Sequence, residues 1–345
     1  MSIISQTINI VNTGTGTVSI PKFSDKKSES VLVARKLYAA GLHKRGERIM
    51  SCNRMIKLAQ CADCGHIDIV SASYCRDRLC PLCSWRLSIQ RYARMRRILE
   101  SIPTGYIPTG YEYSLVTLTV KNCRSSDLSS TIAAMSAAWA DVRRQRWLKD
   151  RLVGWARSLE VTYNKSSREV HPHYHIIAVW SRASEGGCTA LIQEWLQRCA
   201  RHGLTCTAAA QDAQSIKSAG GEGASLIGAI CETFKYCVKS RDLLDGVPLS
   251  IVRDIALGLE GKKLISLGGI IKQIAAKLAL DDIDKPDEDE SGCTSICTTC
   301  GGTRLDELIA MWSLRSNSYI ALCDASEPVT DELLRKYKEY STNDR

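Results

Sequence analysis

Alternation of apolar and polar positions is clearest in three stretches. Tyr113-Ser-Leu-Val-Thr-Leu-Thr-Val120 alternates and is rich in β-branched residues, which predicts a strand. Gly154 to Tyr163 and His171 to Trp180 predict a second and a third strand, and Asn164-Lys-Ser-Ser-Arg168 between them is turn chemistry suited to a hairpin. A short fourth strand is predicted over Thr205 to Ala210, followed by a glycine-rich loop from Ser215 to Ala224. Helical spacing governs most of the remainder: Ser30 to about Arg54, Leu87 to Leu99, Ser129 to Leu152, and Ala190 to His202, stopped by Gly203. Leu226 to Leu244 carries Ile227, Ile230, Phe234 and Val238 at helical spacing and reads as one amphipathic helix. Beyond Asp245 the chain reads as largely helical to Leu280, with a last short helix near Leu305 to Leu314. Strands and helices in mixed order around a hairpin predict an α+β fold, with a central antiparallel sheet flanked by helices.

Composition divides the chain into four stretches. Residues 1–30 read as a mobile tail, 31–100 as a cysteine-rich, basic helical segment, and 101–245 as the sheet core. Residues 246–345 read as a mainly helical C-terminal region ending in a small helical unit. Its linker, 281–290, sets seven acidic residues against one lysine. A net charge of +9 suggests a polyanionic partner. No apolar run is long enough to span a bilayer and no secretory leader is evident, so no membrane partner is expected and the cytoplasm is the default compartment.

In that compartment sixteen cysteines point to metal or to small buried hydrophobes rather than to disulfides. Cys61-x2-Cys64 and Cys80-x2-Cys83, fifteen residues apart, have the spacing by which two knuckles give four thiolates to one structural zinc. This predicts an N-terminal zinc ribbon, in which Cys75 or Cys52 is a possible substitute for one of the first pair. Cys293-x3-Cys297-x2-Cys300 lacks an evident fourth ligand nearby, so a second zinc and three incidental thiols stand equally open there. The arginines that follow the block, from Arg86 to Arg97, form a candidate DNA-contacting helix face.

Two further segments carry chemistry. His171, His173 and His175 alternate along a strand and so share one face, and half of the six histidines lie within these five positions. Imidazoles so placed are preformed metal ligands or general acids. On the Leu226–Leu244 helix, Glu232, Tyr236 and Lys239 fall at i, i+4 and i+7. A phenol between a carboxylate and an ammonium suits a nucleophile, since tyrosine needs a cation nearby to gain phenolate character at neutral pH.

Taken in order, Val116-Thr-Leu-Thr-Val120, His173-Tyr-His175 with its apolar continuation, and Tyr236-Cys-Val-Lys239 resemble the three motifs of HUH endonucleases. The closer resemblance is to the rolling-circle replication initiator (Rep) proteins of small bacterial plasmids, and Cys75-Arg-Asp-Arg-Leu-Cys80-Pro-Leu-Cys83 looks like that family's cysteine-rich segment. The likeness spans about Cys61 to Asp242. It implies an HUH-like nuclease core in 101–245 in which His173 and His175 bind a catalytic divalent cation. Mn²⁺ or Mg²⁺ suits such a donor set. An acidic third ligand is expected, and Glu160, across the hairpin, is the candidate. Tyr236 would attack the scissile phosphorus, leaving a 5′-phosphotyrosine and a 3′-hydroxyl that primes replication. Glu232 would activate water to end the cycle, and Lys239 would steady the phosphate or lower the phenol pKa.

His171-Pro172 departs from the family pattern by adding a third histidine, readable as a spare ligand, a strand cap or a DNA contact. The partner implied is DNA, as a single-stranded or hairpin origin, with a host helicase as a further candidate, in a bacterial cytoplasm and with the gene on a plasmid or phage. Three alternatives remain: an HUH transposase or relaxase, a non-catalytic zinc-ribbon DNA-binding protein, and a histidine-triad nucleotide hydrolase. The last explains neither the cysteine block nor the tyrosine segment.

Overall fold

The structure is a computed structural model that describes residues 17–18, 20–102, 111–181, 186–217, 224–234, 237–280, 282–283 and 296–324. From the N-terminus the elements are β1 (Thr17–Val18), α1 (Pro21–Ala39), α2 (His43–Met50), β2 (Met55–Cys61), β3 (Ile67–Ala72) and α3 (Pro81–Glu100). Then come β4 (Tyr111–Thr119), α4 (Leu128–Arg144), α5 (Arg146–Lys149), β5 (Leu152–Asn164), β6 (Glu169–Ser181) and α6 (Gly187–Arg201). After β7 (Asp212–Lys217) and β8 (Ala224–Ser225) follow α7 (Leu226–Thr233), α8 (Arg241–Leu244) and α9 (Leu249–Gly258). The last are β9 (Ile265–Gly268), α10 (Gly269–Lys277), β10 (Leu305–Ser313) and β11 (Ser318–Asp324). They form two compact units, one from the segments up to Ser84 and from Asp287 onward, the other from Trp85–Pro286. Among the described residues no helix is long and apolar enough to cross a membrane.

The Trp85–Pro286 unit is built on a six-stranded sheet ordered β8-β7-β4-β6-β5-β9, antiparallel except for the short β7–β8 pair. Its centre is the β5–β6 hairpin, closed by a turn in which the Asn164 side-chain oxygen accepts from the Ser166 and Ser167 amides. Arg168 completes that turn in the left-handed region at φ 58°. Both strands are buried through their middles, because the sheet is covered on both faces. On one face Trp139 of α4 meets Trp155 edge-on with ring centroids 5.3 Å apart, and Trp195 of α6 meets Tyr174 at 5.9 Å. The Arg157 guanidinium lies 4.1 Å from the Tyr174 ring centroid on the same side. Trp139→Ala should therefore cost about 3–5 kcal/mol of stability, read from the denaturant midpoint, because it empties the middle of this layer.

The other unit is a five-stranded antiparallel sheet ordered β1-β11-β10-β2-β3. Leu305–Ser313 is strand β10 and not a helix; it is paired on one side with β2 and on the other with β11. The C-terminal region is thus not a mainly helical piece: α9, β9 and α10 belong to the six-stranded unit, and β10–β11 complete the N-terminal sheet. Ladder hydrogen bonds to a strand far away in sequence outweigh local spacing in a short apolar run, which periodicity alone does not assign.

Nor does the N-terminal tail extend to residue 30. Helix α1 starts at Pro21, and within it Lys27 is fully buried, donating to the carbonyls of Met50 (2.9 Å) and Cys52 (2.5 Å). The strand predicted at 205–210 is a single 3-10 turn at Ala208–Ala210, and the strand beside β4 is instead β7, whose polar side chains conceal it. Ile265–Gly268, within the stretch read as helical, is the edge strand β9 beside β5. Most of the acidic linker 281–290 and the first sixteen residues lie outside the described residues.

Candidate metal and nucleic-acid site

Register builds the site. In the hairpin Glu160 pairs with His173 and Ser158 with His175, while β4 places Thr117 opposite His175 and Thr119 opposite His173. Because side chains alternate along a strand, Glu160, His173 and His175 all point to the face opposite the tryptophan layer. Glu160 Oε2 lies 3.1 Å from His175 Nε2 and 3.6 Å from His173 Nε2. The ligand atoms of the three residues lie within 4.8 Å of one another, and all three side chains are buried.

The outward nitrogens are also held. His173 Nδ1 lies 3.2 Å from the His171 carbonyl, so Nδ1 is the donor there, and Nε2 faces the carboxylate. His175 Nδ1 lies 3.3 Å from the Thr117 hydroxyl. This is the arrangement that orients imidazoles toward a cation. Lys239 supplies a fourth group, its ammonium 2.9 Å from Glu160 Oε1. Burial by itself would raise the Glu160 carboxyl, but hydrogen bonds from His173, His175 and Lys239 outweigh it and hold the group well below the usual carboxylate range. A buried carboxylate favoured in its ionised form, with two imidazole nitrogens turned toward it, fits a divalent cation as the group that would take the place of those hydrogen bonds.

His171 takes a different part. Its ring nitrogens meet Asn122 Oδ1 and Thr119 Oγ1, each at 2.8 Å, and the ring stacks on His173 with centroids 5.0 Å apart. Burial and the neighbouring His173 push its pKa down to about 4, so it is a neutral, doubly bonded support. It is not a spare ligand.

The predicted helix face is corrected in geometry. Helix α7 stops at Thr233, and the carbonyl of Cys237 accepts from the Val161 amide of β5 at 2.8 Å, so the chain has left the helix to lie along the sheet. Glu232 and Lys239 therefore do not lie on one helix. Yet Glu232 and Lys239 still arrive at the same place: Glu232 Oε1 is 3.9 Å from His175 Nε2, and Lys239 grips Glu160. Tyr236 and Lys235, between them, lie outside the described residues. Thr117, Thr119 and Asn122 are the members that pattern reading missed; only the strand register, which sequence does not print, could have pointed to them.

The cysteines also regroup. Cys61 and Cys64 do not share a site with Cys80 and Cys83. Instead Cys52, Cys75, Cys80 and Cys83 form one group of four and Cys61, Cys64, Cys297 and Cys300 another. The first is largely buried, with Cys83 Sγ 3.5 Å from Cys52 Sγ and 3.6 Å from Cys75 Sγ. Cys293 lies outside the described residues. The arginine helix is exposed only in part: Arg86 and Arg91 are buried, Arg94 binds the carbonyls of Asp282 and Ile283, and Arg96 and Arg97 face solvent.

A family model described as "Replication protein" matches residues 66–320. "Protein rep" of Streptococcus pneumoniae is 30% identical over 244 residues, 70% of this chain and 74% of that protein. "Protein rep" of Lactiplantibacillus plantarum is 28% identical over 303 residues, 86% of this chain and 93% of its own length. A "Replication protein" of Staphylococcus aureus is 27% identical over 243 residues, 67% of this chain and 97% of that protein. No solved structure is significantly similar to the chain. With the matched span running from His66, just past the first cysteine knuckle, through the histidine strand to β11, the chain belongs to the replication protein family, the plasmid rolling-circle initiators that its motifs resemble.

Proposed function

We propose that this replication initiator is an origin-specific, metal-dependent nickase that cuts one DNA strand through a covalent tyrosine intermediate. The observation that carries the reading is the convergence of His173 Nε2 and His175 Nε2 on the buried Glu160 carboxylate, with Glu232 and Lys239 at its edge. Glu160, His173 and His175 would hold Mn²⁺ or Mg²⁺, which when bound polarises the scissile phosphate and draws charge from its oxygens. Tyr236 is the nucleophile: its phenolic oxygen bonds to phosphorus as the bond to the 3′-oxygen breaks, giving a 5′-phosphotyrosine and a 3′-hydroxyl. Retaining the phosphodiester in this form leaves it available for rejoining. Lys239 keeps Glu160 ionised and in place, and Glu232, half-exposed at the rim 3.9 Å from His175, would take a proton from a water that ends the cycle.

The buried group Cys52, Cys75, Cys80 and Cys83 is assigned a structural zinc, closed to substrate because four thiolates fill a tetrahedron. DNA, single-stranded or in a hairpin, is the partner that the chemistry requires, in keeping with the net charge of +9. A host helicase remains a candidate partner.

Nicking of single-stranded origin oligonucleotides tests the reading. Cleavage should need Mn²⁺ or Mg²⁺ and stop with EDTA; cleavage that persists after thorough chelation would refute it. Thr117→Val removes the hydroxyl that steadies His175 without touching a ligand. It should weaken the divalent ion by about 10–100-fold in calorimetric titration while leaving the fold intact.

A further inference from the structure

We infer that Cys61, Cys64, Cys297 and Cys300 form a second structural zinc site, a staple made of two matching knuckles that fastens the C-terminal strand pair to the N-terminal segment. The knuckles share one backbone design. In each, the motif is Cys-x-x-Cys-Gly, and the glycine amide returns to the carbonyl of the first cysteine, Gly65 to Cys61 at 2.8 Å and Gly301 to Cys297 at 3.0 Å. In each, the amide of the first cysteine donates to the carbonyl five residues on, Cys61 to His66 at 2.8 Å and Cys297 to Gly302 at 2.7 Å. Both glycines are left-handed, at φ 72° and 74°, where a side chain would be strained. Two segments of unrelated position adopting one loop and facing each other need a shared centre, and sulfur supplies it.

The sulfur spacing fits zinc. Cys61 Sγ lies 3.6 Å from Cys300 Sγ, and Cys64 Sγ lies 3.6 Å from Cys297 Sγ. A tetrahedron with metal–sulfur bonds of about 2.3 Å has edges of about 3.8 Å, whereas a disulfide would bring the sulfurs to about 2.05 Å. Protein contacts already hold the knuckles in place. Leu305 pairs with Cys61 in the β2–β10 ladder, Ala62 donates to the Arg304 carbonyl at 3.0 Å, and Thr298 Oγ1 donates to Asp68 Oδ2 at 2.9 Å. Arg304 forms an ion pair with Asp63 across the same junction. Cys64 and Cys297 are 233 positions apart, so the ion closes a very long loop and makes one unit of the chain's two ends.

The test uses the full chain purified without chelators. Elemental analysis should find that the double variant Cys297→Ser, Cys300→Ser carries one zinc per chain fewer than the native protein. Because that variant could misfold, the native protein is also alkylated with iodoacetamide and mapped by mass spectrometry. The exposed Cys64 and Cys300 should be protected until a strong chelator is added, while the exposed Cys231, which belongs to neither group of four, reacts at once. Unchanged zinc content in the variant, alkylation of Cys64 and Cys300 as fast as Cys231, or peptides joined by a disulfide between the knuckles would each overturn the proposal. None of these readouts depends on DNA cleavage.

Discussion

Tyr236→Phe should lower nicking of a single-stranded origin by about 10⁴- to 10⁶-fold, the scale on which removal of a covalent nucleophile acts. The substitution deletes one oxygen and keeps the ring, so packing and origin affinity should hardly change. Single-turnover cleavage with protein in excess isolates the chemical step, and an electrophoretic shift at the same salt concentration checks binding. The covalent protein–DNA species should vanish together with the nick. Glu232→Gln should behave differently: first cleavage continues, and release of the bound strand by water slows, because Glu232 sits at the rim, 3.9 Å from His175, and not between the ligands. A Tyr236→Phe protein that still cleaves at a substantial rate would move the nucleophile elsewhere, with a metal-activated water as the first alternative.

His175→Ala is the second large effect. It removes the imidazole 3.1 Å from Glu160 and leaves a 3%-exposed carboxylate with His173 and Lys239 alone. Losing a direct ligand should cost the divalent ion more than the about 10–100-fold typical of a supporting residue, and nicking should fall in parallel. Stability should drop by about 1–3 kcal/mol, because a buried charged acceptor loses a partner. Origin affinity measured in EDTA should be nearly unchanged. That pattern separates the nickase from a zinc-ribbon protein that merely binds DNA, for which His175→Ala would leave DNA affinity and replication function together unaffected.

The central hairpin was legible because β5 and β6 are long, adjacent in sequence and joined by a turn whose residues announce it. Strict alternation put His173 and His175 on one face, and Glu160 follows once the hairpin register is known. What stayed hidden was set by distant parts of the chain. Nothing local in Leu305–Ser313 tells a strand from a short helix; pairing with β2 decides it, across more than two hundred intervening residues. The cysteines mislead for the same reason. Cys61 and Cys64 have a neighbouring Cys-x-x-Cys within ribbon spacing, yet their companions are Cys297 and Cys300, brought near by that same ladder. The tyrosine segment is an intermediate case. Its helical spacing is real as far as Thr233, and then a backbone bond from Val161 draws it onto the sheet, so Lys239 reaches Glu160 by a route that helical geometry does not describe.

The most direct test is to trap the cleavage product with Mn²⁺, digest the protein and locate the residue carrying the nucleotide by mass spectrometry. A 5′-phosphonucleotide on Tyr236, absent after chelation and absent from a His173→Ala, His175→Ala protein, is the expected result. Cleaved DNA with no covalent adduct, or an adduct on His171, His173 or His175, would contradict it.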